Sequence, residues 1–131
     1  MIRTALWISM LALPALGQDR DGIATVITDQ LDAFEARDLS RAFDFASPSI
    51  QSLFGSDANF GHMVQYGYPM VWDHSEARFL GLTQLGTRWV QRVMLTDADG
   101  SIYLLDYYMI ETADGWRVDG VDMVDAPAPT V

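Results

Sequence analysis

The hydrophobic periodicity of the chain changes once, from a helical period before about Ser75 to alternation after it. Upstream, apolar residues recur at the spacing typical of amphipathic helices. Downstream, apolar and polar residues alternate in segments separated by turn residues, which predicts β-strands. Helices that precede antiparallel strands are typical of an α+β layer. We therefore predict N-terminal helices packed on one face of a curved four-stranded antiparallel sheet.

Capping residues and glycines predict where the helices begin and end. The first helix should span about residues 22–37 behind Asp21, and the second should follow Asp38 or Ser40. Ser47 and Pro48 predict the start of a third helix, because serine caps well and proline suits the first helical position. Its stop should be Gly55. A fourth helix should run from Ser56 or Asp57 to Gly67, and the strands should cover residues 77–85, 88–95, 101–111 and 116–124.

The first residues have the pattern of a cleavable signal peptide. Arg3 precedes an uncharged apolar stretch over residues 5–16, and small residues stand at Ala15 and Gly17. The stretch is shorter than the roughly 20 residues that a membrane-spanning helix needs. We predict cleavage before Gln18, a single domain over residues 18–125 and a flexible tail over residues 126–131. The protein would then be periplasmic or secreted, with no membrane span after cleavage.

The charge of the chain is strongly acidic. Eighteen acidic residues against eight arginines give a net charge of −10, and the chain has no cysteine. An acidic surface repels phosphate backbones and anionic headgroups, so nucleic-acid binding is disfavoured. A domain of this length can bury enough surface to fold without disulfides.

The hairpin at residues 97–100 predicts which side chains share a face of the sheet. If its loop has two residues, either choice of turn gives the same faces. One face is the more apolar, and we predict that it packs on the helices: Trp89, Gln91, Val93, Leu95, Ile102, Leu104, Asp106, Tyr108 and Ile110. The opposite face would carry Arg88, Val90, Arg92, Met94, Tyr103, Leu105, Tyr107 and Met109.

Gln91 and Asp106 are polar residues on the predicted core face. A buried carboxylate must be hydrogen-bonded or have a raised pKa. In a purely structural role, Gln91 and a backbone amide at a helix end would hydrogen-bond the Asp106 carboxylate. In the alternative, Gln91 and Asp106 line a pocket between the helices and the sheet. The candidate pocket residues are Trp89, Gln91, Asp106 and Tyr108 on the sheet, with Tyr66 and Trp72 at the crossover between helices and sheet.

The opposite face predicts a partner surface. Arg88, Arg92, Tyr103 and Tyr107 would lie there together, and tyrosine and arginine are enriched at interface hot spots. A homodimer through this face is one hypothesis; a solvated face with arginines lying over tyrosine rings is the alternative.

Three segments resemble a known family: AFDFASPSIQSLFGSDANFGHMVQYGYPMV from residue 42, VQRVMLTDADG from residue 90 and DGWRVDGV from residue 114. They are similar to the bacterial family named domain of unknown function 4864. The resemblance implies a nuclear transport factor 2-like, cystatin-like cone with a cavity and frequent dimers. It implies no activity, because fold analogy does not select a function.

Two functions follow as expectations. The first is non-catalytic binding of a small apolar ligand or a protein partner. The second is a small proton-transfer enzyme of the isomerase or dehydratase type, with Asp106 as the base and Tyr108 as the oxyanion donor. We expect no cofactor and no metal, because the two histidines, His62 and His74, have no cysteine to complete a zinc site.

Overall fold

The structure is a computed structural model that describes residues 14–124. The predicted signal sequence up to Leu13 and the predicted tail lie outside these residues. Between residues 14 and 124, no helix combines the length and apolar character needed to cross a membrane.

Within residues 14–124, five helices precede the sheet. They are α1 (Pro14–Glu35), α2 (Leu39–Asp44), α3 (Pro48–Phe54), α4 (Asp57–Gly67) and α5 (Pro69–Trp72). The first helix was predicted over about residues 22–37. In the structure it begins earlier, at Pro14, and ends two residues earlier, at Glu35. Pro69 begins the short α5, because proline fits the first position of a helix.

Side-chain caps fix the starts of α2, α3 and α4. The Asp38 carboxylate accepts from the Arg41 N–H, the Ser47 hydroxyl accepts from the Ile50 N–H, and Ser56 accepts from Asn59. Gly55 ends α3 in the left-handed region with φ 78°, which glycine reaches without a Cβ clash. These predicted boundaries are confirmed.

The four strands pair as antiparallel neighbours in sequence order. They are β1 (His74–Leu85), β2 (Arg88–Asp97), β3 (Ile102–Thr112) and β4 (Gly115–Val124). The helices pack on one face, which makes the described residues an α+β protein built on an open four-stranded sheet. A core of aliphatic and aromatic side chains from α1, α2, α4, α5 and the strands fills the space between the layers.

The β2–β3 hairpin has a three-residue loop, and the two-residue prediction was wrong. The Asp97 N–H donates to the Ser101 carbonyl, and the Asp97 carboxylate accepts from the N–H groups of Asp99 and Ser101. Gly100 has φ 84°, the conformation that a three-residue loop with a bulge requires.

That extra loop residue exchanges the faces of β3. Val93 pairs with Leu105, and Gln91 pairs with Tyr107, so the odd-numbered residues of both strands face the helices. The predicted core face was therefore correct for β2 and wrong for β3, because a one-residue change of register turns every side chain over. Buried on β3 are Leu105, Tyr107 and Met109.

The first helix packs directly on the last strand. Gly22 of α1 lies against the Trp116 ring of β4, where an added Cβ would come within 2.8 Å of a ring carbon. Glycine is therefore required for this close approach between helix and sheet. Trp116 also meets Trp89 edge-on, with ring centroids 6.3 Å apart.

A second attachment joins the start of α3 to β4. The Ser47 N–H donates to the Val118 carbonyl, and the Val118 N–H donates to Phe45. The fully buried Ser47 hydroxyl donates to Asp119 Oδ1 at 2.7 Å. The register of β3 and β4 shifts between Tyr108 and Met109, and the shift inserts Asp119 as an extra residue in β4. Such a bulge re-aims a side chain, here towards Ser47.

Candidate functional site

A cavity of about 240 Å³ lies between the helices and the C-terminal half of the sheet. Its helical walls include Phe34 of α1, Ile50 and Phe54 of α3, and Phe60 of α4. The floor comes from Tyr107 of β3 and from Val118, Gly120 and Val121 of β4. The walls are thus largely apolar and aromatic, which is the usual composition of a small-molecule site.

Leu53 of α3 lines the cavity and is 73% exposed, so one apolar lining residue stands in solvent. Deeper in, Phe34 and Phe60 are almost completely buried, with ring centroids 5.8 Å apart.

Tyr107 is the main polar residue of the cavity floor. The side chain is 1% exposed, and its hydroxyl is buried without a hydrogen-bond partner. Burial and the neighbouring Tyr68 raise the pKa of the Tyr107 phenol well above its usual value, so this hydroxyl keeps its proton. A buried hydroxyl without a partner costs about 1–3 kcal/mol, and such a group calls for an explanation.

The other polar groups of the cavity are Tyr68 and Gln30. The Tyr68 hydroxyl donates to the Val121 carbonyl at 2.9 Å, and the Gln30 amide nitrogen donates to the Ala42 carbonyl at 3.1 Å. Both donors are thus bonded to the backbone, whereas the Tyr107 hydroxyl has no hydrogen-bond partner among the described residues. Among the described residues that line the cavity, none is charged.

Gln91 lies on the core face, as predicted, but outside the cavity. Its amide nitrogen donates to the carbonyls of Leu80, Gly81 and Arg92 at 2.9–3.3 Å. The register of β1 and β2 shifts between Phe79 and Leu82, and Gln91 satisfies the carbonyls that this bulge removes from the ladder. Its role in the described structure is to hold the irregular edge strand.

Asp106 and Tyr108 lie on the outer face of the sheet, so the predicted core position of both was wrong. Arg92 donates to Asp106 through two nitrogens at 2.9 and 3.1 Å, which raises the pKa of the Arg92 guanidinium. The Tyr108 hydroxyl donates to Asp122 at 2.9 Å, and this bond raises the pKa of the phenol. Both residues were predicted on the core face because the prediction assumed a two-residue loop. The loop at residues 98–100 has three residues, which turns both side chains to the outer face.

The remaining predicted pocket residues are dispersed. Trp89 packs at the Trp116 end of the core, Trp72 lies under the Arg37 guanidinium at 4.1 Å, and Tyr66 is 69% exposed on α4. None of the three lines the cavity. Sequence reasoning missed Tyr107 as a cavity residue because the wrong register put it on the other face.

The outer face holds two of the four predicted interface residues. Arg88 and Arg92 lie there, whereas Tyr103 packs against the core and Tyr107 is buried in it. Arg88 stacks over the Tyr108 ring at 4.5 Å and reaches Asp119 Oδ2 at 3.3 Å. Around these charges stand the half-buried apolar side chains of Val90, Met94, Leu104 and Ile110.

The structure also brings His74 close to two carboxylates of α1. Ligand atoms of Asp32, Glu35 and His74 lie within 4.8 Å of one another. The sequence does not show this grouping, because Asp32 and His74 lie far apart in the chain. Both carboxylates are exposed and the grouping offers only three donors, so the grouping alone does not define a metal site.

Helices packed on one face of an open four-stranded antiparallel sheet define the described residues as an α+β protein. The chain belongs to the family described as Domain of unknown function (DUF4864), which matches residues 16–131. The resemblance to that family is thereby confirmed. No curated protein and no solved structure matches this chain.

Proposed function

We propose that the protein binds a small apolar ligand in the cavity between its helices and its sheet, without catalysis. The observation that carries this proposal is the cavity itself: about 240 Å³, walled by apolar and aromatic side chains and bordered by the exposed Leu53. Well-formed apolar pockets with few polar groups are the usual binding sites of small molecules.

The proton-transfer alternative has less support. It needs Asp106 as a base and Tyr108 as an oxyanion donor at one enclosed site. Asp106 is held by Arg92 on the outer face, and the proton of Tyr108 is committed to Asp122. The described lining of the cavity offers no carboxylate or histidine in their place.

We propose further that the chain acts outside the cytoplasm as an NTF2-like cone. Export is supported by the signal-peptide pattern of the first residues, in which Arg3 precedes an uncharged apolar stretch. The cone is supported by an antiparallel sheet with helices on one face and a cavity between the layers.

Native mass spectrometry of the protein purified from the periplasm of its own source tests the binding proposal. We expect a species with an added small mass, which Val121→Phe should reduce at least about tenfold by filling the cavity floor. Met123→Phe is the matched control, since Met123 lies on the same strand, is 47% exposed and does not line the cavity. Equal loading of both variants would place the ligand elsewhere, and a bare wild-type species would count against an endogenous ligand.

A second proposal is a homodimer through the outer face. The arginines Arg88 and Arg92 stand beside Asp106, Asp119 and Asp122, so this face is nearly neutral on a chain of charge −10. A nearly neutral face does not add to the repulsion between two acidic copies. In a two-fold contact, this face of one copy would meet the same face of the other. Arg92 and Asp106 make two hydrogen bonds to each other, which lowers the cost of covering this pair.

Met94→Glu tests this dimer. Met94 pairs with Leu104 among the apolar residues of the outer face, and a carboxylate there would be desolvated in the contact. In sedimentation velocity at micromolar concentration we expect a wild-type dimer and at least a hundredfold weaker association of the variant. Tyr66→Glu, at an exposed position on α4, should leave the dimer intact. A wild-type monomer would contradict the proposal.

A further inference from the structure

Two carboxylates near the end of α1 meet the imidazole that begins β1. Ligand atoms of Asp32, Glu35 and His74 lie within 4.8 Å of one another. We propose that these three residues bind a zinc ion and leave its remaining coordination positions to water. The sequence argued against a metal because no cysteine accompanies the histidines, whereas in the structure two carboxylates supply the missing donors.

The three donors are brought together by contacts that need no ion. Phe34 of α1 packs against Trp72, with ring centroids 6.1 Å apart. Arg37, just beyond α1, donates to the Trp72 carbonyl and to the Asp73 carboxylate. These contacts join the end of α1 to the two residues that precede His74. A site built on elements that are already packed together loses little freedom when an ion binds, which favours affinity.

The hydrogen bonding of the His74 ring is that of a metal ligand. Its Nδ1 lies 3.3 Å from the Val71 carbonyl oxygen, which can only accept a hydrogen bond. The contact therefore favours the tautomer with the proton on Nδ1, which leaves the lone pair of Nε2 for an ion. Metal-bound histidines almost always donate their other ring N–H in this way, often to a backbone carbonyl.

The two carboxylates have no arginine partner within residues 14–124. The ion pairs of this part of the chain are Arg37–Asp73, Arg88–Asp119 and Arg92–Asp106. Neither Asp32 nor Glu35 belongs to one of them. Carboxylates this close repel each other, and a divalent cation between them would relieve the repulsion. The charge of −10 on the chain adds a general attraction for cations.

The donor set selects zinc. One imidazole nitrogen and two carboxylate oxygens suit Zn²⁺, which in open sites takes three protein ligands and a water. Mg²⁺ and Ca²⁺ instead prefer oxygen ligands. Ligand atoms about 2.1 Å from one ion lie at most about 4.2 Å apart, so the grouping must close slightly around zinc. Both carboxylates are exposed, so their side chains can rotate by that amount.

Calorimetric titration of the chelator-treated protein with zinc chloride tests the site. We expect one ion per chain with a Kd in the micromolar range. His74→Ala should weaken binding at least about a hundredfold, because even residues that only orient a ligand contribute about ten- to a hundredfold. His62→Ala is the matched control, since His62 is exposed on α4 and its ring lies against Tyr66. That variant should bind zinc within about twofold of wild type.

Thermal unfolding gives a second readout, because zinc that binds only the folded chain stabilises it. At a zinc concentration of about a hundred times the Kd, the unfolding midpoint of wild type should rise by about 5 °C or more. Glu35→Gln should lose most of this rise. Glu111→Gln, at an exposed glutamate of β3, should keep it.

Equal zinc binding by the two histidine variants would reveal adventitious zinc on an acidic surface and would overturn the proposal. A wild type that takes up no zinc at millimolar concentration would overturn it as well. NMR spectra of the imidazole rings need no variant: zinc should shift the His74 resonances and leave those of His62 in place, and an unshifted His74 would contradict the site. None of the three proposed ligands lines the cavity, so these outcomes are independent of the ligand-binding proposal.

Discussion

Replacement of Gln91 by leucine is expected to lower the free energy of unfolding by about 3 kcal/mol. The two side chains have similar volume, so the change removes the amide without opening a large cavity. The amide donates to the carbonyls of Leu80, Gly81 and Arg92, and those of Leu80 and Gly81 lie in the β1 bulge. Each carbonyl left without a donor costs about 1–3 kcal/mol when water does not reach it.

Chemical denaturation followed by far-UV circular dichroism measures this effect. The matched control is Gln84→Leu, a glutamine on the neighbouring strand that is exposed and makes only a 3.4 Å contact with Gly86. We expect that control to change stability by less than about 0.5 kcal/mol. Similar effects of the two substitutions would mean that the bulge carbonyls find water and that Gln91 does not hold the edge strand.

Substitution of Ser47 by alanine should lower the free energy of unfolding by about 2–3 kcal/mol, the second largest effect on stability that we expect. The Ser47 hydroxyl caps α3 by accepting from Ile50, and it donates to Asp119 on β4. A lost cap costs about 1 kcal/mol, and a lost hydrogen bond to a carboxylate adds about 1.5 kcal/mol or more. The substitution therefore weakens both α3 and its attachment to the sheet.

Ser56→Ala separates the two contributions in the same denaturation experiment. Ser56 caps α4 by accepting from Asn59, and no bond from its hydroxyl to another element accompanies that contact in the described structure. We expect it to lose only the capping contribution of about 1 kcal/mol. Equal losses for the two serines would show that the contact with Asp119 contributes nothing measurable.

Short-range signals in the sequence predicted the local structure well. Ser47, Pro48 and Gly55 bound α3 as expected, because capping depends on atoms within a few residues. The four strands also follow from alternation and turn residues. These features are set locally, so a single sequence is enough to predict them.

The candidate site could not be predicted in the same way, because it depends on one loop residue. The Asp97 side chain accepts from Asp99 and Ser101 and thereby selects the three-residue loop. Either loop length is compatible with the local composition, yet each puts a different half of β3 on the core face. Tyr107 was thus assigned to a partner surface, and Asp106 to a pocket.

The role of Gln91 was unpredictable for a related reason. A polar residue among valine and leucine signals a buried hydrogen bond but not its partner. The partners are backbone carbonyls of a bulge in β1, and bulges have weak sequence signals compared with turns. Cavities are similarly invisible in one sequence, because they reflect how completely separate elements fill a shared space.

The contact between Gly22 and Trp116 has a consequence for the timing of folding. It joins the first described helix to the last described strand, so the core cannot close until β4 is available. Contacts of such long sequence separation form late, because the chain between them must first be ordered. A nascent chain would therefore stay open until Trp116 has been synthesised. For a protein that we propose is exported, this delay would keep the polypeptide unfolded, and so competent for translocation, while it crosses the membrane.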